Sequence, residues 1–130
     1  MRRRWIVVIS IACLVALGLT WFVRGYRDFH TRFTEEEVVG TWVAERGQEM
    51  TFRPDGTAHI RRFEWHDSVV LDGPAKWSLG KVSEKPSVDG VAGVNGFHLA
   101  GARSLADGLR LVSYIGDPDD SRNIVWWTRR

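Results

Sequence analysis

An uninterrupted run of uncharged residues, Trp5 to Val23, lies near the start of the chain, and its length limits the structures that this segment can adopt. As a helix with a rise of 1.5 Å per residue, the run spans about 28 Å, close to the roughly 30 Å hydrocarbon core of a bilayer. Lipid offers no partners for backbone N–H and C=O groups, so such a segment crosses a membrane as a helix. Trp5 and Trp21 lie near opposite ends, where amphipathic rings prefer the interface. The run predicts one transmembrane helix over residues 5–23.

Two other fates of this segment stay open at the level of sequence. A cleaved signal peptide has a shorter apolar region and a small-residue cleavage site, whereas this run ends in Thr20–Arg24. Lipoprotein processing would act at Cys13, but the preceding residues, Ile9–Ala12, only loosely resemble a lipobox and apolar sequence continues beyond. We therefore expect a permanent anchor. Cys13 is the only cysteine, so the rest of the chain has no disulfide and redox compartment is not indicated.

Charge is unevenly divided along the chain. Residues 1–33 carry six arginines and one aspartate, a net charge of +5, whereas residues 34–130 carry 12 basic and 15 acidic residues, a net charge of −3. Basic membrane flanks meet anionic headgroups, and the domain has no basic patch of the kind that binds nucleic acid. Arginines flank both ends of the span, so charge hardly orients it. We expect residues 1–4 to be a cytoplasmic tail, with the domain outside the cytoplasm.

The segment after the span divides into a linker and a folded domain. Residues 24–33 mix arginines with aromatic residues and are predicted to be a juxtamembrane linker. Thr34 to Glu37 matches a capping box, in which the first and last side chains each bond the other's backbone N–H. Gly40 should end this helix after one or two turns. The extracytoplasmic domain is predicted to cover residues 34–130.

Alternation with a period of two residues then predicts an all-β domain. Turn signals rich in Asp-Gly, Asn-Gly and Pro, among them Asp72-Gly73-Pro74, separate short apolar runs, as in a meander of hairpins. Arg61 and Arg62 interrupt the alternation, which a β-bulge would restore. Strands are expected at Gln48–Arg53, Thr57–Trp65, Ser68–Leu71, Ala75–Leu79, Phe97–Ala100, Leu109–Ile115 and Asn123–Arg129, with a further exposed strand at Lys81–Lys85. The expected core residues are Met50, Phe52, Phe63, Trp77, Phe97, Leu111, Ile124 and one of Trp126 and Trp127.

Gly40-Thr41-Trp42, which follows a short helical turn and opens the first strand, resembles the lipocalin-like (calycin) β-barrels. The resemblance implies that Trp42 closes one end of the barrel under an arginine of the last strand, Arg129, or Arg130 if the register differs. The hairpin Thr51–Thr57 is also similar to these domains. The C-terminal segments Tyr114–Asp119 and Ile124–Trp127 resemble uncharacterised membrane-anchored domains of high-GC Gram-positive bacteria. The fold it implies is a small antiparallel meander barrel or strongly bent sheet.

No arrangement of residues in the sequence predicts an enzyme, a cofactor or a metal site. His66-Asp67-Ser68 contains the residue types of a catalytic triad, but adjacent strand residues point to opposite faces. His59 and His66 likewise fall on opposite faces of a regular strand, so their spacing does not support zinc. Asp117–Asn123 resembles the start of a calcium loop, yet lacks the glycine and the final acid of an EF-hand. We expect a non-enzymatic protein.

Two functions follow from this prediction. The leading one is a membrane-anchored envelope binding module, in which Trp65, Trp77 and Phe63 line a site for a small apolar ligand in the barrel. The alternative is a structural or accessory subunit with a filled barrel and a protein partner. The direction of Arg61 and Arg62 bears on the choice, since an inward arginine would make the interior polar.

Overall fold

The computed structural model describes residues 2–25, 27–28, 31–65, 69–81, 84–91, 94, 96–117 and 119–130. Within these residues, one long helix precedes a single antiparallel sheet of ten strands, which confirms the predicted all-β class with an N-terminal helix. The helices are α1 (Arg2–Gly25), α2 (Glu35–Val38) and a 3-10 turn (Ser121–Asn123). The strands are β1 (Arg27–Asp28), β2 (Gly40–Ala44), β3 (Glu49–Phe52), β4 (Thr57–Glu64), β5 (Val70–Leu79), β6 (Pro86–Asp89), β7 (Phe97–His98), β8 (Ala100–Ser104), β9 (Gly108–Tyr114) and β10 (Ile124–Arg129).

Helix α1 contains the predicted apolar run. Its segment Ile6–Val23 is long and apolar enough to cross a membrane, and none of it is buried against the described parts of the chain. The hydroxyls of Ser10 and Thr20 donate to backbone carbonyls one turn earlier, so both polar groups are satisfied within the helix. A signal sequence would meet the same length and composition criteria, so crossing a membrane stays a prediction.

The sheet curls into a nearly closed barrel of nine strands, β2 to β10. Its order is β1-β8-β9-β10-β2-β3-β4-β5-β6-β7. Only Leu99 separates β7, which pairs with β6, from β8, which pairs with β9. The Leu99 N–H donates to the carbonyl of Pro86 at 2.8 Å. One extended segment therefore joins the two sides of the sheet, and this closure protects strand edges that would otherwise be open to aggregation.

The segment that follows α1 forms part of the barrel wall. Strand β1 pairs with the end of β8, with Arg27 opposite Ser104. Farther along, the Phe33 N–H donates to the carbonyl of Glu84 at 3.0 Å. Thr31 and Phe33 are each only 3% exposed, and Phe33 belongs to the hydrophobic core. The predicted linker, residues 24–33, thus includes two side chains that are buried in the domain.

Strand direction gives the barrel two different ends. We call the end where β3, β5, β8 and β10 finish the base, and the end where β2, β4, β6 and β9 finish the rim. The base also holds α2, whose predicted capping box is confirmed. The Thr34 N–H donates to Glu37 Oε2 (3.0 Å), and the Glu37 N–H donates to Thr34 Oγ1 (3.3 Å). Val38 on this helix is fully buried in the core.

The predicted bulge in β4 is also confirmed. The pairing register of β4 with β5 shifts between Ile60 and Phe63. Arg62 adopts a left-handed backbone with φ +54°, and its N–H donates to the Asp72 carboxylate at 2.8 Å. Arg61 and Arg62 are both exposed, because the extra residue restores the alternation on either side.

Four local expectations were wrong. Asp72-Gly73-Pro74 is not a turn, because β5 runs through it as one strand. At Pro74 β5 pairs with β4, whereas its pairing with β6 covers Lys76–Leu79. Proline has no backbone N–H, and Pro74 lies where β5 does not need one for pairing with β6. The strand expected at Lys81–Lys85 is instead β6, starting at Pro86. The strand expected to end at Ala100 continues to Ser104. Ile124 was expected in the core but is only partly buried, because Val125 and Trp127 occupy the face of β10 that points into the core and Ile124 lies on the other face.

Candidate functional site

Three aromatic rings stack across the interior of the barrel. The Phe63 ring lies between Phe97, with centroids 4.6 Å apart, and Trp127, with centroids 5.7 Å apart, and the rings are nearly parallel. Their strands, β4, β7 and β10, lie three positions apart around the nine-stranded barrel. All three side chains are at most 6% exposed. The rings therefore converge from three sides of the barrel and pack against one another in its interior.

Hydrogen bonding holds the largest of these rings in place. The indole N–H of Trp127 donates to the hydroxyl of Ser113 at 2.9 Å, and both residues are buried. A buried indole N–H without a partner would cost the desolvation of that group. Ser113 is an inward-facing polar residue of β9, and this bond explains its presence in an apolar interior.

The residues predicted to bind a ligand are divided between two clusters. Phe63 lies in the aromatic stack, and Trp65 is half-buried toward the rim with its ring 5.2 Å from that of Phe97. Trp77 lies toward the base, where its ring meets the edge of Phe52 at 5.5 Å and its N–H donates to the carbonyl of Arg53 at 2.8 Å. The structure thus brings Phe63 and Trp65 together and places Trp77 in a separate group.

The structure brings together the three residues predicted to close the barrel. Arg129 on β10 lies directly opposite Trp42 on β2, and its guanidinium covers Gly40 so closely that a Cβ there would be 2.9 Å from Arg129 Nε. Arg129 also donates to the carbonyl of Val39. The Trp42 indole donates to the carbonyl of Val38 at 2.8 Å. These bonds satisfy carbonyls that the end of a helix leaves without partners.

A polar cleft, which we call the rim cleft, opens beside the rim and has a volume of about 440 Å³. Arg46 and Glu64 form an ion pair in its wall with N and O 3.2 Å apart. Gln48 also lines it and is only 3% exposed. Among the hydrogen bonds of the described residues, none involves the Gln48 side-chain amide. The full lining is Glu45, Arg46, Gln48, Glu64, Ile115, Arg122, Asn123, Ile124, Val125 and Trp126.

The aspartates of the calcium-like segment are engaged in local bonds beside this cleft. The carboxylate of Asp120 accepts bonds from the side chain and backbone of Arg122, which lower the pKa of Asp120 and raise the pKa of Arg122. The Asp117 carboxylate accepts from the Asp119 N–H at 2.9 Å. Pro118 lies outside the described residues. These contacts order the start of β10 and place Arg122 at the cleft.

Histidines and carboxylates elsewhere do not converge in the described part of the chain. His59 and His98 are exposed on the outer surface, and the described residues contain no group of three or more potential metal ligands. The triad-like residues His66, Asp67 and Ser68 lie outside the described ranges. A shallow groove of about 690 Å³ runs along the outer face of β4 and β5 past His59.

Sequence reasoning did not find the rim cleft. Its walls come from four places in the chain, which are the end of β2, the end of β4, the end of β9 and the start of β10. The only local signal is Gln48, a polar residue on the same alternating face as Met50 and Phe52. A polar side chain at an inward-facing position is informative because burial without a partner is costly.

No family model, curated protein or solved structure matches this chain. The filled core, the closed base and the rim cleft are therefore the features that bear on its function.

Proposed function

We propose that this chain is a single-pass membrane protein of a bacterial envelope, whose barrel lies outside the cytoplasm as a non-enzymatic module that binds a protein partner. The observation that carries the proposal is the stack of Phe63, Phe97 and Trp127. A barrel of about eight strands is just wide enough to be filled by side chains or to hold one small ligand. Because these three rings occupy the interior, the proposed binding site for a partner lies on the surface of the barrel.

The lipocalin-like resemblance belongs to this proposal as a statement about architecture. The packing of Arg129 over Gly40, with Trp42 beside it, supports the resemblance. The exposure of Arg61 and Arg62 keeps both charges out of the interior, as a carrier of apolar ligands requires. The aromatic stack nevertheless takes the space that such a ligand would need, so the filled accessory module is favoured over the carrier.

A second candidate function is the binding of a small polar molecule in the rim cleft. Its volume of about 440 Å³ falls within the size of ordinary ligand sites. The observation that favours it is Gln48, which carries a side-chain amide, lines the cleft and is only 3% exposed. A ligand or a partner's polar side chain would each satisfy this amide.

Native mass spectrometry of the full chain in detergent tests whether the barrel is filled. We expect the bare protein mass, with no stoichiometric gain when fatty acids or phospholipids are added. The Phe63→Ala variant is the matched control, because it removes the central ring and leaves a dry apolar cavity that should bind benzene. A one-to-one apolar ligand on the wild type, lost on unfolding, would contradict the filled barrel and restore the carrier hypothesis.

In-cell photo-crosslinking tests the surface role. A photoreactive residue at Glu45, on the wall of the rim cleft, should give one discrete crosslinked product, which Gln48→Ala should weaken. The same residue at Lys81, exposed near the base, is the control position. Equal crosslinking at both positions, or none at Glu45, would contradict a partner at the rim cleft.

Membrane extraction and the mass of the mature chain test the anchor. A retained span predicts a protein of 14.8 kDa that stays with the membrane in alkaline carbonate. A shorter chain released by carbonate would indicate a cleaved signal. A shorter chain with added lipid mass at Cys13 would indicate a lipoprotein.

A further inference from the structure

The most exposed large apolar side chain of the described barrel lies on the turn between β8 and β9. Leu105 is 67% exposed, more than Val69 or Val70 at the rim. The turn itself is ordered, because the Asp107 N–H donates to Ser104 Oγ at 2.9 Å and Asp107 forms an ion pair with Arg110 at 3.2 Å. A single exposed leucine is ordinary on a protein surface, so its position relative to α1 decides what it means.

Backbone pairing places this turn next to the end of the apolar helix. Gly25 ends α1, and β1 begins two residues later with Arg27, so their Cα atoms are at most about 7 Å apart. Arg27 pairs with Ser104, which sets their Cα atoms about 5 Å apart. Leu105 is the next residue. It therefore lies within roughly 15 Å of the helix end.

The direction of the pairing decides which way the turn points. The chain leaves α1 and enters β1, and β8 runs antiparallel to β1. The end of β8 therefore points back toward the helix terminus. If α1 crosses a bilayer, the base of the barrel faces the lipid and the rim cleft faces away.

We propose that the turn Ser104–Gly108 contacts the bilayer surface, with Leu105 inserted at the level of the lipid headgroups. The proposal rests on the membrane anchor of the proposed function. The headgroup region is several ångströms thick on each side of the hydrocarbon core, and a turn that points back toward the helix end is directed at this layer. The contact is apolar, because Asp107 within the turn is paired with Arg110 beside it. The β1–β8 pairing would hold the barrel in one orientation, rather than on a free tether.

A fluorescent probe at single cysteines tests this contact in the full chain. Cys13→Ser removes the only cysteine, and an environment-sensitive dye is then attached at Leu105→Cys or at the control Val70→Cys, which is 52% exposed at the rim. The protein is reconstituted in phosphatidylcholine vesicles with a headgroup-attached quencher. We expect a blue shift and quenching at position 105, neither at position 70, and no change in high salt.

A second variant tests whether Leu105, rather than the apolar dye itself, brings the turn into contact with the bilayer. With the dye at Ala106→Cys, adding Leu105→Asp should abolish the quenching while the protein stays in the vesicles. Equal quenching at positions 105 and 70, or none at 105 in vesicle-bound protein, would overturn the proposal and leave the anchor intact. Protein that does not float with the vesicles at all would instead refute the anchor. Matching unfolding midpoints show that the labelled variants are folded.

Discussion

Phe33 and Gly101 should be strongly coupled in stability, although one belongs to the predicted linker and the other to β8. The Phe33 ring lies so close to Gly101 that a Cβ there would be 1.8 Å from Cζ of the ring. Gly101 has no left-handed φ, and the three heavy atoms nearest to an added Cβ all belong to this ring. The two substitutions Phe33→Ala and Gly101→Ala therefore test whether the segment after α1 is part of the barrel.

The magnitudes follow from burial and overlap. Phe33 is 3% exposed, and truncation of a fully buried phenylalanine costs about 3–5 kcal/mol. Gly101→Ala forces the ring to move, and overpacking of this kind costs about 1–3 kcal/mol. When Phe33 is already alanine, the new methyl group enters vacated space and its cost should fall close to zero. The double variant should thus be more stable than the sum of the singles by about 1–3 kcal/mol.

Urea unfolding of the full chain in detergent, followed by tryptophan fluorescence, measures these free energies. Val70→Ala, at an exposed position, is the control and should change stability by less than about 0.5 kcal/mol. Combined with Gly101→Ala, it should be additive within about 0.5 kcal/mol. If Phe33→Ala and Gly101→Ala are also additive, or if Phe33→Ala has no effect, Phe33 does not pack in the barrel and this account of the wall is refuted.

Three further substitutions test local features. Glu37→Gln should destabilise the protein near neutral pH, because bonds from the Thr34 N–H and Arg103 lower the pKa of Glu37. That stabilisation is present above the ordinary value of 4.5 and is lost as pH falls through the folded-state pKa, so unfolding curves of the two proteins should converge in acid. Arg62→Gly should stabilise by up to about 1 kcal/mol by removing a left-handed arginine, and an unchanged or lower Tm would contradict this. Gly40→Ala should cost about 1–3 kcal/mol in urea unfolding, because φ is +136° and Arg129 Nε blocks a Cβ; tolerance would mean that Arg129 does not cover Gly40.

Local features were predicted correctly where the residues that form them lie close together in sequence. The capping box joins Thr34 to Glu37, and the bulge follows from two arginines within one short strand. The prediction of a turn at Asp72-Gly73-Pro74 was wrong because the hydrogen-bond partner of Asp72 lies farther away in sequence. Asp72 accepts the N–H of Arg62 across the β4–β5 pair, so its side chain supports a neighbouring strand rather than a local turn.

An apolar helix followed by a small all-β domain could be predicted from the sequence, because helix length and period-two alternation are properties of a few consecutive residues. The sequence also indicated Phe63 and Phe97 as core residues and left Trp127 as one of two choices. The stacking of Phe63, Phe97 and Trp127 could not be predicted from the sequence, because their strands β4, β7 and β10 are distant in sequence and converge only in the folded barrel. The rim cleft and the burial of Phe33 were decided in the same way. Alternation tells which face a side chain takes, whereas strand order and register set the space that it must fill.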